Sequence, residues 1–168
     1  MRQPHSRYHT LPWAWPARPL HVVLVEPEIP QNTGNIARLC AATGTVLHLV
    51  EPLGFQLTDA ALRRAGLDYW DAVDMRRHPD LTEAMQTLDP QRCFYFSTAG
   101  ERAYTAVKYA PGDVLIFGSE SAGLPDALLD AHHDRVLGIP MRVDRVRSLN
   151  LATTVGIALY EALRQLGT

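Results

Sequence analysis

Leu20-His21-Val22-Val23-Leu24-Val25, followed by Glu26-Pro27-Glu28-Ile29-Pro30 and then by Gln31-Asn32-Thr33-Gly34-Asn35-Ile36-Ala37-Arg38, is the stretch on which the fold turns. The first six residues are a short, largely β-branched apolar run and read as a buried strand. The run cannot extend through the next five, because two prolines remove backbone donors and fix φ. Asn32 can then cap a helix from Thr33 to Thr43, with Gly44 at its C′ position. Ile36, Leu39, Cys40 and Thr43 share one face of that helix. A buried strand, a stiff proline turn and an amphipathic helix make one strand-to-helix unit.

The same texture repeats outward. Thr45 to Val50, Arg92 to Ser97, Asp113 to Phe117 and Val136 to Ile139 read as strands. Between them lie a helix-prone stretch from Thr58 to Ala65 ended by Gly66, and a capping-box start at Asp80-Leu81-Thr82-Glu83 leading through Leu88. A short helix from Pro125 to Asp130 and a long one from Leu149 to Leu166 complete the series. The long helix carries an apolar stripe of Leu151, Val155, Ala158, Leu159, Ala162, Leu163 and Leu166. The strands are continuous apolar runs rather than alternating ones. That predicts an α/β fold with a parallel sheet covered on both faces. Open sheets of this kind bind ligands beyond the carboxyl ends of their strands, so the loops after Val25, Ser97, Phe117 and Ile139 are the ones to examine. Residues 20–168 read as a single domain. Residues 1–19 contain four prolines and read as an extension, loosely ordered or docked through Trp13 and Trp15.

Composition narrows the function. Hydrophobic residues at 46% and charged residues at 20% are ordinary for a soluble globular protein. A net charge of −2 excludes a generally basic nucleic-acid coat, so any RNA contact must come from local arginine clusters. Those clusters exist: Arg63-Arg64, Arg76-Arg77, and Arg142, Arg145 and Arg147. No apolar run is long enough to span a membrane. Cys40 and Cys93 read as buried free thiols of a reducing compartment, which predicts a cytoplasmic protein. None of the seven histidines has metal-ligand spacing, so we expect no metal and no Ser-His-Asp triad.

Three segments carry chemistry. The first, Asn32 to Arg38, lies where unpaired helix N–H groups favour anions, and Arg38 could fork a phosphate, although an Asn-capped helix with a solvated arginine needs no ligand. The second is Phe117-Gly118-Ser119-Glu120-Ser121-Ala122-Gly123-Leu124-Pro125. Gly118 would allow a ligand close to the backbone, and Glu120 could balance a cation, accept from a hydroxyl, or be merely solvated. It is not a Walker loop, and no dinucleotide-binding glycine pattern is present. The third is Ile139-Pro140-Met141, an arginine-rich loop, and Ser148-Leu149-Asn150. Ser148 reads as an N-cap, whereas the Asn150 amide suits holding a hydroxyl.

In this order, the three segments resemble the signature motifs of the SPOUT methyltransferase superfamily, closest to the small tRNA (cytidine/uridine-34) 2′-O-methyltransferases of the TrmL type. Arg63-Arg64-Ala65-Gly66-Leu67-Asp68-Tyr69 adds to that likeness, which covers Leu20 to the end. The resemblance implies a C-terminal trefoil knot, a feature nearly absent from general expectation. It also implies a homodimer that acts on the anticodon stem-loop of tRNA. S-adenosylmethionine would be the methyl donor, leaving as S-adenosylhomocysteine. It would be held by Phe96, Thr98, Gly118, Glu120, Ile139, Met141, Ser148 and Leu149. Arg38, Asn35, Ser148 and Asn150 would serve catalysis, and Arg63, Arg64, Arg147 and Tyr160 would hold the RNA. Alternatives are 2′-O-methylation of another RNA, such as ribosomal RNA, and a non-catalytic knotted RNA-binding protein. Ala122 departs from the pattern, which has a basic residue there. The loop from Arg142 to Val146 is a residue longer than usual.

Overall fold

The computed structural model of the chain describes residues 11–58 and 70–167. Seven strands form one sheet: β1 (His21–Val25), β2 (Val46–Val50), β3 (Met75–His78), β4 (Cys93–Phe96), β5 (Arg102–Ala103), β6 (Val114–Phe117) and β7 (Val136–Gly138). Their order is β3-β2-β1-β6-β4-β7-β5, and every pairing is parallel. Four helices are described: α1 (Pro30–Thr43), α2 (Leu81–Gln86), α3 (Asp126–Ala131) and α4 (Leu151–Leu166). The helix expected near Arg63 falls on residues outside those described.

Alternation along each strand decides which layer each side chain joins. Val22 and Leu24, Leu47 and Leu49, Phe94 and Phe96, and Leu115 and Phe117 pack with Ile36, Ala37 and Cys40 of α1 and with Val155, Leu159 and Leu163 of α4. Val23, Val50, Tyr95 and Ile116 point the other way, against Ala84, Leu88, Leu128 and Leu129 around α2 and α3. Both faces are therefore dry, as the continuous apolar runs require. Each fully buried leucine or valine contributes roughly 1.5–3 kcal/mol.

The structure corrects several local expectations. α1 begins at Pro30, with Ile29 as N-cap and no side-chain cap. Proline lacks an N–H and has its φ pre-set, so it suits the first helical position, and Asn32 is moved into the first turn. Gly44 does end α1, at φ 65°. Asn150, not Ser148, caps α4, accepting the Thr153 N–H at 3.2 Å. Pro125 is the N-cap of α3 rather than its first helical residue. Strands β3 and β5 were not expected. Both lie at sheet edges, where one neighbour suffices and polar residues are tolerated. Asp80 caps α2 as expected, accepting the Glu83 N–H at 2.8 Å.

On the α2 face, three imidazoles form a row. His21 Nδ1 lies 3.0 Å from His48 Nε2, and His48 Nδ1 lies 2.9 Å from His78 Nε2. His78 Nδ1 faces Glu83 Oε1 at 3.4 Å. One tautomer, Nδ1–H in every ring, satisfies both ring-to-ring bonds and leaves the His78 Nδ1–H facing Glu83 without a hydrogen bond. His48 is wholly buried. Burial first, then the neighbouring imidazoles, pushes it down to about 3, and burial lowers His21 as well.

Just past the end of α4, Trp13 of the extension lies against Gly167, where an added Cβ would meet the indole at 2.6 Å. Arg18 donates to the Pro111 carbonyl at 2.9 Å.

Candidate active site

A cavity of about 590 Å³ opens at the carboxyl ends of β4, β6 and β7, between the loops that leave them and the start of α1. This is beside the point where β6 is inserted between β1 and β4, the place where such sheets leave a crevice. Its apolar wall includes Phe96, Phe117, Leu137, Ile139, Met141 and Leu149. Phe96 and Phe117 come from adjacent strands and stack with centroids 4.7 Å apart. Polar groups from Ser97, Thr98, Ser148 and Asn150 converge on the same space.

The loops are tied to one another by side chains. The Glu120 carboxylate accepts the backbone N–H of Glu28 at 2.8 Å and of Ile29 at 3.1 Å, and the Asn32 side-chain N–H at 3.1 Å. Asn32 is nearly buried, and its Oδ1 accepts from Asn150 Nδ2 at 2.9 Å. Asn150 in turn caps α4. One row therefore runs Glu120, Asn32, Asn150, and joins the β6 loop, the start of α1 and the start of α4. Hydrogen bonds to a charged acceptor are worth about 1.5–3 kcal/mol each, enough to fix these three segments relative to one another.

Glycines allow the backbone itself to close the cradle. At Gly118 an added Cβ would lie 2.0 Å from the Gly123 carbonyl carbon. The loop's own return across the strand end, sealed by a bridge between Ser119 and Gly123, therefore demands glycine there, rather than the approach of a ligand. Gly123 itself adopts φ 69°. Across the cavity, a Cβ on Gly100 would lie 2.4 Å from the Leu137 carbonyl carbon, which locks the β4 loop onto β7.

The eight residues expected to hold the methyl donor, Phe96, Thr98, Gly118, Glu120, Ile139, Met141, Ser148 and Leu149, all line this one cavity, as do Asn150 and the exposed Arg147. Asn35 and Arg38 are exposed on α1 and lie outside the lining. Tyr160 is 49% exposed on α4 and also lies outside it. Arg63 and Arg64 fall outside the described residues. Sequence reasoning missed Asn32 and Glu28. For Asn32 a signal existed: Pro30 already fills the first helical position, which frees the later amide from capping. Cys40 and Cys93 are buried away from the cavity, and burial pushes both thiols up to about 12, which leaves them protonated and inert. Among the described residues no group of His, Cys, Asp and Glu could hold a metal ion, and no helix is long and apolar enough to cross a membrane.

Comparison with known proteins gives a consistent picture. Residues 19–160 match the SpoU rRNA Methylase family. The tRNA (cytidine(34)-2'-O)-methyltransferase of Escherichia coli strain K12 is 50% identical over 149 residues, covering 88% of this chain and 94% of that protein. A solved structure reported as "Structural insights into the 2-OH methylation of C/U34 on tRNA" superposes with a TM-score of 0.82 at 50% identity, covering 89% of this chain and 97% of the other. An AdoMet-bound rRNA methyltransferase from Sinorhizobium meliloti superposes with a TM-score of 0.76 at 27% identity, covering 91% of this chain and 59% of that one.

Proposed function

This chain belongs to the SpoU rRNA methylase family, and from that membership we propose that it methylates the ribose 2′-hydroxyl of the wobble nucleotide, cytidine or uridine 34, of tRNA. The observation that carries the reading is the convergence of the Glu120–Asn32–Asn150 row on a single cavity bounded by the β4, β6 and β7 loops. The half-identity to a wobble methyltransferase of nearly the same length favours tRNA over ribosomal RNA. The rRNA enzyme matched in structure is much longer, and this chain covers 59% of it.

The cavity residues fit a bent nucleoside with an amino-acid tail. Backbone from the three loops can read an adenine, the Phe96, Leu137, Ile139 and Leu149 surfaces can cover it, and Glu120 places negative charge nearby. S-adenosylmethionine, when bound there, supplies an electrophilic methyl group on a cationic sulfur and departs as S-adenosylhomocysteine. The chain's own task is to align the ribose oxygen and ease loss of its proton. Positioning alone can be worth roughly 7–11 kcal/mol. Ser148 and Asn150 orient the ribose at the cavity rim. The Arg38 guanidinium offers donors and no acceptor, so it stabilises the developing alkoxide rather than acting as a base. Asn35, one turn away on α1, helps hold the sugar. Arg63, Arg64 and Arg147 meet phosphates.

The rest of the reading is a cytoplasmic homodimer with a C-terminal trefoil knot. Its support is local. Arg38 and Tyr160 lie outside the cavity of their own chain while α1 and α4 pack side by side, so a second copy would bring a cavity to them. α4 returns from β7, near one edge of the sheet, to sit against α1 and β6. Of the extension, Trp13 lies against Gly167 and Arg18 donates to the Pro111 carbonyl, which supports docking of its described part on the domain.

The test is direct. Incubate the protein with methyl-labelled S-adenosylmethionine and bulk tRNA, then digest with alkali. A labelled, alkali-resistant dinucleotide containing position 34 supports the reading. Label on a base, or in ribosomal RNA alone, overturns it.

A further inference from the structure

The Glu120 carboxylate has a mirror image. While it accepts the N–H groups of Glu28 and Ile29, the Glu28 carboxylate reaches back to accept Ser121 N–H at 2.9 Å and Ser121 Oγ–H at 2.6 Å. Two neighbouring residues in each loop thus hold each other through four hydrogen bonds, all ending on carboxylate oxygens. Glu28 does not line the cavity, yet Ile29 and Asn32 immediately after it do.

The backbone at Glu28 is already fixed from elsewhere. Glu26 turns the chain out of β1 at φ 51°, and Pro27 and Pro30 stiffen the segment between β1 and α1. On the far side, Gly54 donates to the Pro27 carbonyl at 2.9 Å, and an added Cβ on Gly54 would meet the Glu28 Cα at 2.7 Å. Glu28 is therefore a junction of three loops, those leaving β1, β2 and β6. With the backbone held, its side chain settles how the start of α1 sits against the Gly118–Gly123 loop.

We infer that Glu28 is a positioning residue for methyl transfer: by clasping Ser121 it sets the start of α1, and everything α1 carries, against the loop that shapes the donor cavity. This rests on the proposed reaction. Glu28 touches neither reactant, so removing it should misplace groups rather than delete them, and misplacement of about 1 Å can cost on the order of a hundredfold. The bonds also assign the roles of Ser121. Ser121 lines the cavity, but its hydroxyl donates to Glu28, so that hydroxyl serves the clasp.

Glu28→Ala should lower kcat by about tenfold or more while the dissociation constant for S-adenosylmethionine stays within about threefold. Glu28→Gln keeps an oxygen for the Ser121 N–H and should recover most of the loss. A Glu28→Ala enzyme with kcat within about twofold of wild type overturns the inference, and so does a loss matched by equal loss of donor affinity. Wild-type turnover on tRNA is the control. Its absence would sink the proposed reaction, and the clasp would then be judged by amide exchange at Ile29 and Ser121. Glu28→Ala should speed that exchange about tenfold, and exchange within about twofold of wild type overturns the clasp.

Discussion

Two rows of hydrogen-bonded side chains cross this molecule, and they occupy opposite kinds of place. Glu120, on the loop after β6, Asn32, in the first turn of α1, and Asn150, the cap of α4, lie on the rim of a cavity. His21, His48 and His78 lie inside strands β1, β2 and β3, under α2, away from that cavity. The first row joins segments as far apart as residues 32 and 150, adding directional bonds to the apolar packing of α1 on α4. The second joins strands that the backbone already pairs. A polar network placed at the rim of a cavity determines the geometry of that rim. One placed within the core determines stability and its dependence on pH. Perturbing the first should change turnover, and perturbing the second should change melting.

The sharpest separation should come from Arg38→Ala. It should lower kcat by about 10²–10³-fold with S-adenosylmethionine binding nearly unchanged in calorimetry. Equal loss of both would remove Arg38 from the chemistry. Next, Asn32→Ala takes one partner from Glu120 and one from Asn150. We expect kcat to fall by about tenfold to a hundredfold and unfolding free energy by roughly 1–3 kcal/mol, measured by steady-state kinetics and urea titration. Unchanged kinetics would reduce the row to a cap.

The histidine row should answer in the opposite way. His48→Leu orphans His21 and His78 and should lower stability by about 1–3 kcal/mol, while kcat at 25 °C stays within about twofold. A large kinetic effect would break the comparison. The same row should also answer to pH. His48 is held near 3 when folded, against an unfolded value of 6.5, so the unfolded chain takes up the proton first. Its contribution is complete above pH 6.5 and is lost as pH falls from there toward 3, at no more than about 1.4 kcal/mol per pH unit. Melting curves from pH 7.5 to 4 should show this slope in wild type and a shallower one in His48→Leu.

Much of the fold was legible because burial on both faces writes itself into sequence. β1, β2, β4 and β6 are continuous apolar runs, and their bounds fell within a residue of expectation. β3, reading Met-Arg-Arg-His, and the two-residue β5 were illegible, since an edge strand needs only one neighbour and no apolar code. The cavity loops were also legible, because glycines and prolines at strand ends mark them. The links between the loops were not. Asn32 and Asn150 each looked like one local feature, a cap or a ligand, and nothing in the chain announces a bond across 118 positions. The histidines lack metal-ligand spacing along the sequence, and their closeness in space is set by strand register, which only the sheet supplies.

The seat of Trp13 on Gly167 brings residues separated by almost the whole chain side by side. For an engineer the polypeptide is thus close to a ring. A tether of a few residues would join positions 13 and 167, and new ends could be opened in the exposed stretch around Val143, which is 79% accessible. Such a circular permutant would have to lay down α4 before β1, in an assembly order the natural chain never uses, and its refolding rate would report how far that order matters.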